Sequence, residues 1–364
     1  MGGYLKNLDS KNWVNGGMVA LNLDGLPPQY RVRSLLLTFS LTGTKSGADT
    51  VAGDLLPTLV QNLRLTPYYN LPGLESFRLR HIMNGRIVED ISAIPGSGTS
   101  FTAFFQLEIP FRIPSLGQDD GSMPTELLMG KTVECTFNSA TALNTGTVTV
   151  TGGTVRIAAE LIHETNIPMF NNFGYVDQAS QSMQLQAGIY PYLFYVLPAG
   201  TALTSTDVGT VDLTADGIPI LQNVRFDQLV SLWNRDAATA AGSRAELQQS
   251  GALFIPLAWL PRKAGGVSKQ LAAEKNVTLQ ITAGSQLGGR LVYCRTQLKD
   301  QNTINSIAAS IGSPKGVVYE PATASKTPLH AVKPGEAPNR KARLIYSALP
   351  GKLRDTPTPG NKAS

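Results

Sequence analysis

The sequence predicts an all-β chain built from two tandem sandwich domains of one fold. Three observations point there. Short strand-like segments run through most of the chain, a set of internal echoes recurs in collinear order, and 364 residues suit two domains of about 150 residues each plus an extension.

The predicted strands are Met18–Leu23, Val32–Leu41, Thr102–Ile113, Thr132–Asn138, Thr145–Ile162, Met183–Leu197, Ala252–Leu260, Val277–Ala283 and Leu291–Leu298. They are rich in Val, Ile, Leu, Thr and Phe, often alternate, and are separated by Gly, Pro, Asn and Asp. Two helical stretches interrupt them, one at Leu74–Met83 and one at Asp227–Asn234. The second resumes at Ser243–Gln249, after the alanine-rich Ala237–Ala241. Such spacing with long connections predicts antiparallel sandwiches and argues against doubly wound or barrel α/β folds.

Four echoes support the duplication. Leu59-Val60-Gln61-Asn62-Leu63-Arg64-Leu65 answers to Ile220-Leu221-Gln222-Asn223-Val224-Arg225-Phe226, roughly 161 residues on. Leu107-Glu108-Ile109-Pro110-Phe111 answers to Leu253-Phe254-Ile255-Pro256-Leu257, and Lys131-Thr132-Val133 to Lys275-Asn276-Val277. Gly152-Gly153-Thr154-Val155-Arg156-Ile157 answers to Gly288-Gly289-Arg290-Leu291-Val292-Tyr293. The spacing shrinks to roughly 136 residues, as loop deletions in the second copy would cause. A helical stretch follows each Gln-Asn-x-Arg segment, so each half reads as strands, that strand, a helical connection, an Ile-Pro strand and two closing strands. An eight-stranded jelly roll fits this count. The predicted division is an N-terminal arm at 1–13, a first jelly roll at 14–165, a second at 166–298 and a C-terminal arm at 299–364. The boundary falls at Glu164–Gln178, where the alternation breaks.

Charged residues make up only 16% of the chain, below the roughly 25% of ordinary soluble domains; a surface poor in charge suits contact. The net charge is +5, yet residues 299–364 hold ten Lys or Arg against four Asp or Glu, so the positive excess lies in this proline-containing tail. Lys333, Arg340, Lys341, Arg343, Lys352 and Arg354, beside the apolar Leu344-Ile345-Tyr346, are the candidates for contact with a polyanion or a membrane face. No apolar run reaches the length of a spanning helix, and no signal peptide is predicted.

Catalytic patterns are not found. His81, His163 and His330 lie far apart, without the Cys, Asp or His spacing a metal site requires. Cys135 alternates with Val133 and Phe137 on an inward face, and it and Cys294 read as core residues. Glu89-Asp90 and Asp119-Asp120 read as turn carboxylates, and the glycine-rich Ile94–Ser100 lacks the Gly-Lys-Ser/Thr of a phosphate cradle. The expectation is a non-enzyme with no catalytic, metal-binding or cofactor-binding residue and no cofactor. Two alternatives stay open: a two-domain β-sandwich hydrolase with polar groups converging at the domain junction, and a carbohydrate- or receptor-binding module with Tyr68-Tyr69 as its aromatic platform. Gly43–Gly53, Ser115–Pro124 and Ala199–Gly217 read as long rim or tower loops.

Leu35-Leu36-Leu37-Thr38-Phe39-Ser40-Leu41-Thr42, followed after a polar loop by Leu59-Val60-Gln61-Asn62-Leu63, resembles a strand pair of the double jelly-roll major capsid proteins of the tectivirus-like, internal-membrane bacteriophage lineage. Phe104-Phe105-Gln106-Leu107-Glu108-Ile109-Pro110 is similar to that family's strand ending in proline. The resemblance covers most of residues 14–298. It implies a viral coat protein made in the host cytoplasm and residing in the virion. It further implies a homotrimer whose six rolls form a pseudo-hexameric capsomer of an icosahedral shell, in contact with neighbouring capsomers and with penton and minor capsid proteins. The short N-terminal arm departs from relatives with an N-terminal helix, which shifts the expected contact with an internal membrane or the genome to the basic C-terminal arm.

Overall fold

The structure, a computed structural model, describes residues 4–46, 53–84, 100–111, 122–138, 140–143, 146–163, 169–197, 204–229, 252–255, 271–282 and 288–298. The first part of the chain contains β1 (Tyr4–Asn12), β2 (Met18–Asn22), β3 (Arg31–Ser46), a 3-10 helix (Gly53–Leu59), β4 (Val60–Leu65), β5 (Tyr69–Leu71) and α1 (Gly73–Asn84). These are followed by β6 (Ser100–Pro110), β7 (Met123–Pro124), α2 (Thr125–Leu128), β8 (Thr132–Phe137), β9 (Ala140–Leu143) and β10 (Gly146–Ile162). The second part contains β11 (Met169–Asp177), β12 (Ser182–Val196), β13 (Thr210–Ala215), β14 (Ile218–Arg225), β15 (Ala252–Ile255), β16 (Leu271–Thr282) and β17 (Arg290–Leu298). A helical turn at 226–229 follows β14.

Alternation builds these strands. In β3, Leu35, Leu37, Phe39 and Leu41 are buried while Thr38, Ser40 and Thr42 point outward. Across the ladder Phe39 lies opposite Phe105 of β6, their rings stacked at 4.6 Å. Val155, Ile157, Ala159 and Leu161 of β10 complete this inner face. Gly153 is required where β10 passes β3: its φ is +145°, and a Cβ would sit 2.4 Å from the Ser40 carbonyl oxygen.

The first roll's main strands, numbered by position in the chain, run 1-8-3-6 in one sheet (β1-β10-β3-β6) and 2-7-4-5 in the other (β2-β8-β4-β5). The second roll repeats the plan. One sheet is β11-β17-β12-β15 and the other β12-β16-β13-β14. Here β12 serves twice: Ser182–Tyr190 pairs with β16, and Ile189–Val196 pairs with β17, across register shifts near Gly188 and Pro191. The chain is therefore a double jelly roll.

Several sequence expectations change. The Gln-Asn-x-Arg echo joins strands that are not equivalent: Gln61 and Asn62 lie on β4, the fourth strand of the first roll, while Gln222 and Asn223 lie on β14, the fifth of the second. The short β5 intervenes before α1, and three residues are too few to announce themselves by alternation. The other three echoes match equivalent strands. The last is exact at the backbone: Trp13 N–H donates to the Gly153 carbonyl at 2.9 Å, and Gln178 N–H donates to the Gly289 carbonyl at 2.9 Å. Glu164–Gln178, read as a break, contains strand β11. Both faces of β11 are covered, with Phe170, Asn171 and Phe173 all buried, which removes the period-2 signal. The loop reading of Ala199–Gly217 is corrected by β13, whose Val211 and Leu213 are fully buried. Gly43–Ser46 end β3, and Met123–Pro124 form β7 against β3. Residues 4–12 of the predicted N-terminal arm form β1, paired antiparallel with β10. The helix expected at Leu74–Met83 spans Gly73–Asn84.

Candidate functional site

The two rolls meet edge to edge, and the outer face of one sheet of the second roll packs into the first roll's core. β11, the first strand of the second roll, pairs in parallel with β5, the fifth of the first, with Phe173 opposite Tyr69. Phe173 N–H donates to the Tyr68 carbonyl at 2.9 Å. Around this seam Tyr68 meets Phe170 edge-on at 5.6 Å and Tyr69 tilts against Phe173 at 5.8 Å. Phe194, Val196, Val292 and Cys294, on the outer face of the second roll's sheet, belong to the first roll's hydrophobic core. That sheet is thus buried on both faces, because its inner residues Leu193, Tyr195 and Leu291 fill the second core. The Tyr68-Tyr69 pair is packed in this junction, not displayed as a platform.

An ionic cluster centred on Arg290 borders the apolar junction. Arg290 donates from Nη1 to Glu75 Oε1 of α1 at 3.1 Å and from Nε to Asp177 Oδ1 at 2.8 Å, with its guanidinium over the Tyr175 ring. Glu75 is 1% exposed. Desolvation alone would lower the Arg290 pKa, but the hydrogen bonds and charges of Asp177 and Glu75 outweigh it and hold the guanidinium above its usual range. Arg78 Nη1 donates to the Leu197 carbonyl at 3.1 Å, and Asn171 Nδ2 donates to the Phe111 carbonyl. Sequence reading missed this clamp, since Glu75 and Arg290 are 215 residues apart. The available signal was a departure from the glycine echo, where the first roll has Thr154 and the second Arg290.

The equivalent sheet face of the first roll is open. Strand pairing sets Thr38, Ser40, Arg156 and Ala158 where the second roll has Phe194, Val196, Val292 and Cys294. Arg156 is exposed, the other three are half-buried, and at the borders Leu5 is 59% and Phe104 47% exposed. This face is short-chained and hydroxyl-rich, where its counterpart is apolar.

Among the described residues, no three His, Cys, Asp or Glu are grouped to hold a metal ion. Cys135 and Cys294 are buried, and loss of solvation pushes both thiols well up. His163 is exposed, with its ring edge-on to Tyr30 at 5.3 Å. The basic candidates Lys333, Arg340, Lys341, Arg343, Lys352 and Arg354 lie outside the described residues, as do His330, Glu89-Asp90, Asp119-Asp120 and most of Ile94–Ser100.

No protein-family model matches the chain, and no curated protein does. Among solved structures it is similar to the STIV MCP at 15% identity, over 83% of this chain and 99% of that one, with a TM-score of 0.58. The atomic structure of Sulfolobus Turreted Icosahedral Virus contains a chain similar at 14% identity, over 85% and 96%, with a TM-score of 0.57. The major capsid protein P2 from Bacteriophage PM2 is similar at 11% identity, over 83% and 99%, with a TM-score of 0.50. At these identities the likeness is one of fold, over 83–85% of this chain.

Proposed function

We propose that this chain is a major capsid protein, a structural, non-catalytic subunit of an icosahedral virus shell that self-associates as a homotrimer. The observation that carries the reading is the same eight-strand plan laid down twice in one chain, in the fold shared with the STIV MCP and P2 of Bacteriophage PM2. Two similar domains per subunit let three copies present six similar edges, which a pseudo-hexagonal capsomer needs. The junction speaks against the hydrolase alternative: it is apolar, and the carboxylates Glu75 and Asp177 at its border are both bound to Arg290.

In this reading the two shell-forming rolls are residues 14–165, extended at the N-terminal side by β1, and residues 166–298. Residues 299–364 form an arm whose Lys333, Arg340, Lys341, Arg343, Lys352 and Arg354 meet an internal membrane or the genome. Neighbouring capsomers and penton and minor capsid proteins are the further partners, met in the virion after synthesis in the host cytoplasm. Light scattering across a range of salt tests the core of the proposal. A salt-resistant species near three times 38.9 kDa is expected, and a monomer at every concentration refutes it. Deleting residues 315–364 tests the arm separately, since normal particles from the truncated chain would rule out its role.

A further inference from the structure

We infer that β1 of one copy and β14 of another join as parallel edge strands, making a seam between subunits that repeats the β11–β5 seam within each subunit. The inference rests on the self-association reading. Inside the molecule, the first strand of the second roll pairs in parallel with the fifth strand of the first. The reciprocal pair is the first strand of the first roll, β1, and the fifth strand of the second, β14. Both stand at sheet ends: β1 closes the order β1-β10-β3-β6, and β14 closes the other sheet. Each therefore leaves one row of main-chain donors and acceptors without a strand partner among the described residues.

The flanking chemistry agrees. A parallel arrangement brings the starts of the two strands together, and there Leu5 is 59% and Ile218 60% exposed. The turn at 226–229 follows β14 as α1 follows β5, and it carries the exposed Asp227 near the place of Glu75. On the first roll's face the exposed Arg156 lies two residues beyond Thr154, the counterpart of Arg290. On the β14 half Asp227 is paired with the exposed Arg225 at 3.2 Å, so the meeting would bring Arg156 to a carboxylate that already holds one cation. Register also follows: Phe173 pairs with Cys294 as Asn7 pairs with Ala158, and Gln222 precedes its helical turn as Tyr69 precedes α1. Asn7 of one copy is thus placed beside Gln222 of the next. Each copy offers one β1 and one β14, so the contact is head-to-tail and completes itself by closing into a ring.

Cysteine pairing tests this. Cys135 and Cys294 are buried, so Asn7→Cys combined with Gln222→Cys or with Asn223→Cys introduces the exposed thiols. After mild oxidation, a non-reducing gel of at least one double variant should show a disulfide-linked ladder ending at three chains, absent from each single variant. Amide exchange of residues 4–12 and 218–225 should slow when the wild-type chain assembles. An assembled species with no ladder from either pairing, or with unchanged exchange in both strands, overturns the seam and leaves the capsid reading standing. A chain that is monomeric throughout overturns both.

Discussion

The corresponding sheet faces of the two rolls have the same strand order and opposite chemistry. In the second roll the face carries Phe194, Val196, Val292 and Cys294 and is sealed inside the subunit as the chain folds. In the first roll the same positions hold Thr38, Ser40, Arg156 and Ala158, and the face meets solvent. One face never meets water once the protein is folded, so apolar side chains there contribute burial without risk of aggregation. The other has to remain soluble before any partner arrives. Short hydroxyls and a single exposed arginine do this while costing little side-chain entropy when the face is covered. Duplication therefore supplied two equal frames, and their environments set the side chains.

The largest expected effect is at the sealed face. Phe194→Ala should destabilise the chain by about 3–5 kcal/mol, read as a lower urea midpoint, while Thr38→Ala at the equivalent open position should stay within about 0.5 kcal/mol. Equal losses at the two sites would erase the distinction. Arg290→Ala comes next. It leaves Glu75 buried without its cation and should cost about 2–3 kcal/mol, less than the roughly 3–5 of a fully buried pair because the arginine is partly exposed. Glu75→Gln, which keeps a hydrogen-bond acceptor, should cost less than Arg290→Ala in the same titration.

Alkaline pH probes the buried tyrosines near the junction. Burial raises the Tyr69 hydroxyl and pushes Tyr195 up to about 12. The native state therefore holds protons that the unfolded chain releases near pH 10. Stability should be fully present below pH 10 and fall as pH rises toward 12, and a urea midpoint unchanged between pH 8 and pH 11 would contradict this. The thiols give a smaller effect: native Cys135 and Cys294 should not react with a thiol reagent at pH 8 and should react fully in denaturant. The gentlest test makes the open face resemble the sealed one. Thr38→Phe with Arg156→Val should leave folding stability within about 1 kcal/mol and raise non-specific association, seen as larger scattering at equal concentration.

Much of the fold was legible in the chain. Period-2 alternation located β3, β6, β8, β10, β12 and β17, and it placed Cys135 correctly between Val133 and Phe137 in the core. The glycine echo found equivalent strands because a β10–β3 crossing such as the one at Gly153 tolerates few residue types. The Gln-Asn-x-Arg echo failed because solvent-facing residues can repeat without sharing a place in the sheet: β4 is internal, between β5 and β8, and β14 is an edge. The candidate site was less legible. Phe170 and Phe173 belong to a strand covered on both sides, and Glu75 meets the Asp177–Arg290 pair of the second roll only when the two rolls dock.

By itself, then, the sequence determined the all-β class, the duplication and the inward residues of most strands, since each depends on periodicities of a few residues along the chain. Tertiary contacts set which strands are neighbours, the double role of β12 in both sheets of the second roll, and the sealing of the second roll's outer face while the first's stays open. Those outcomes depend on contacts between residues distant in the chain, such as Ser182 with Gln280 and Glu75 with Arg290. The free energy of the sealed face in particular comes from surfaces that exist only after both rolls have formed, and no local pattern in the chain records it.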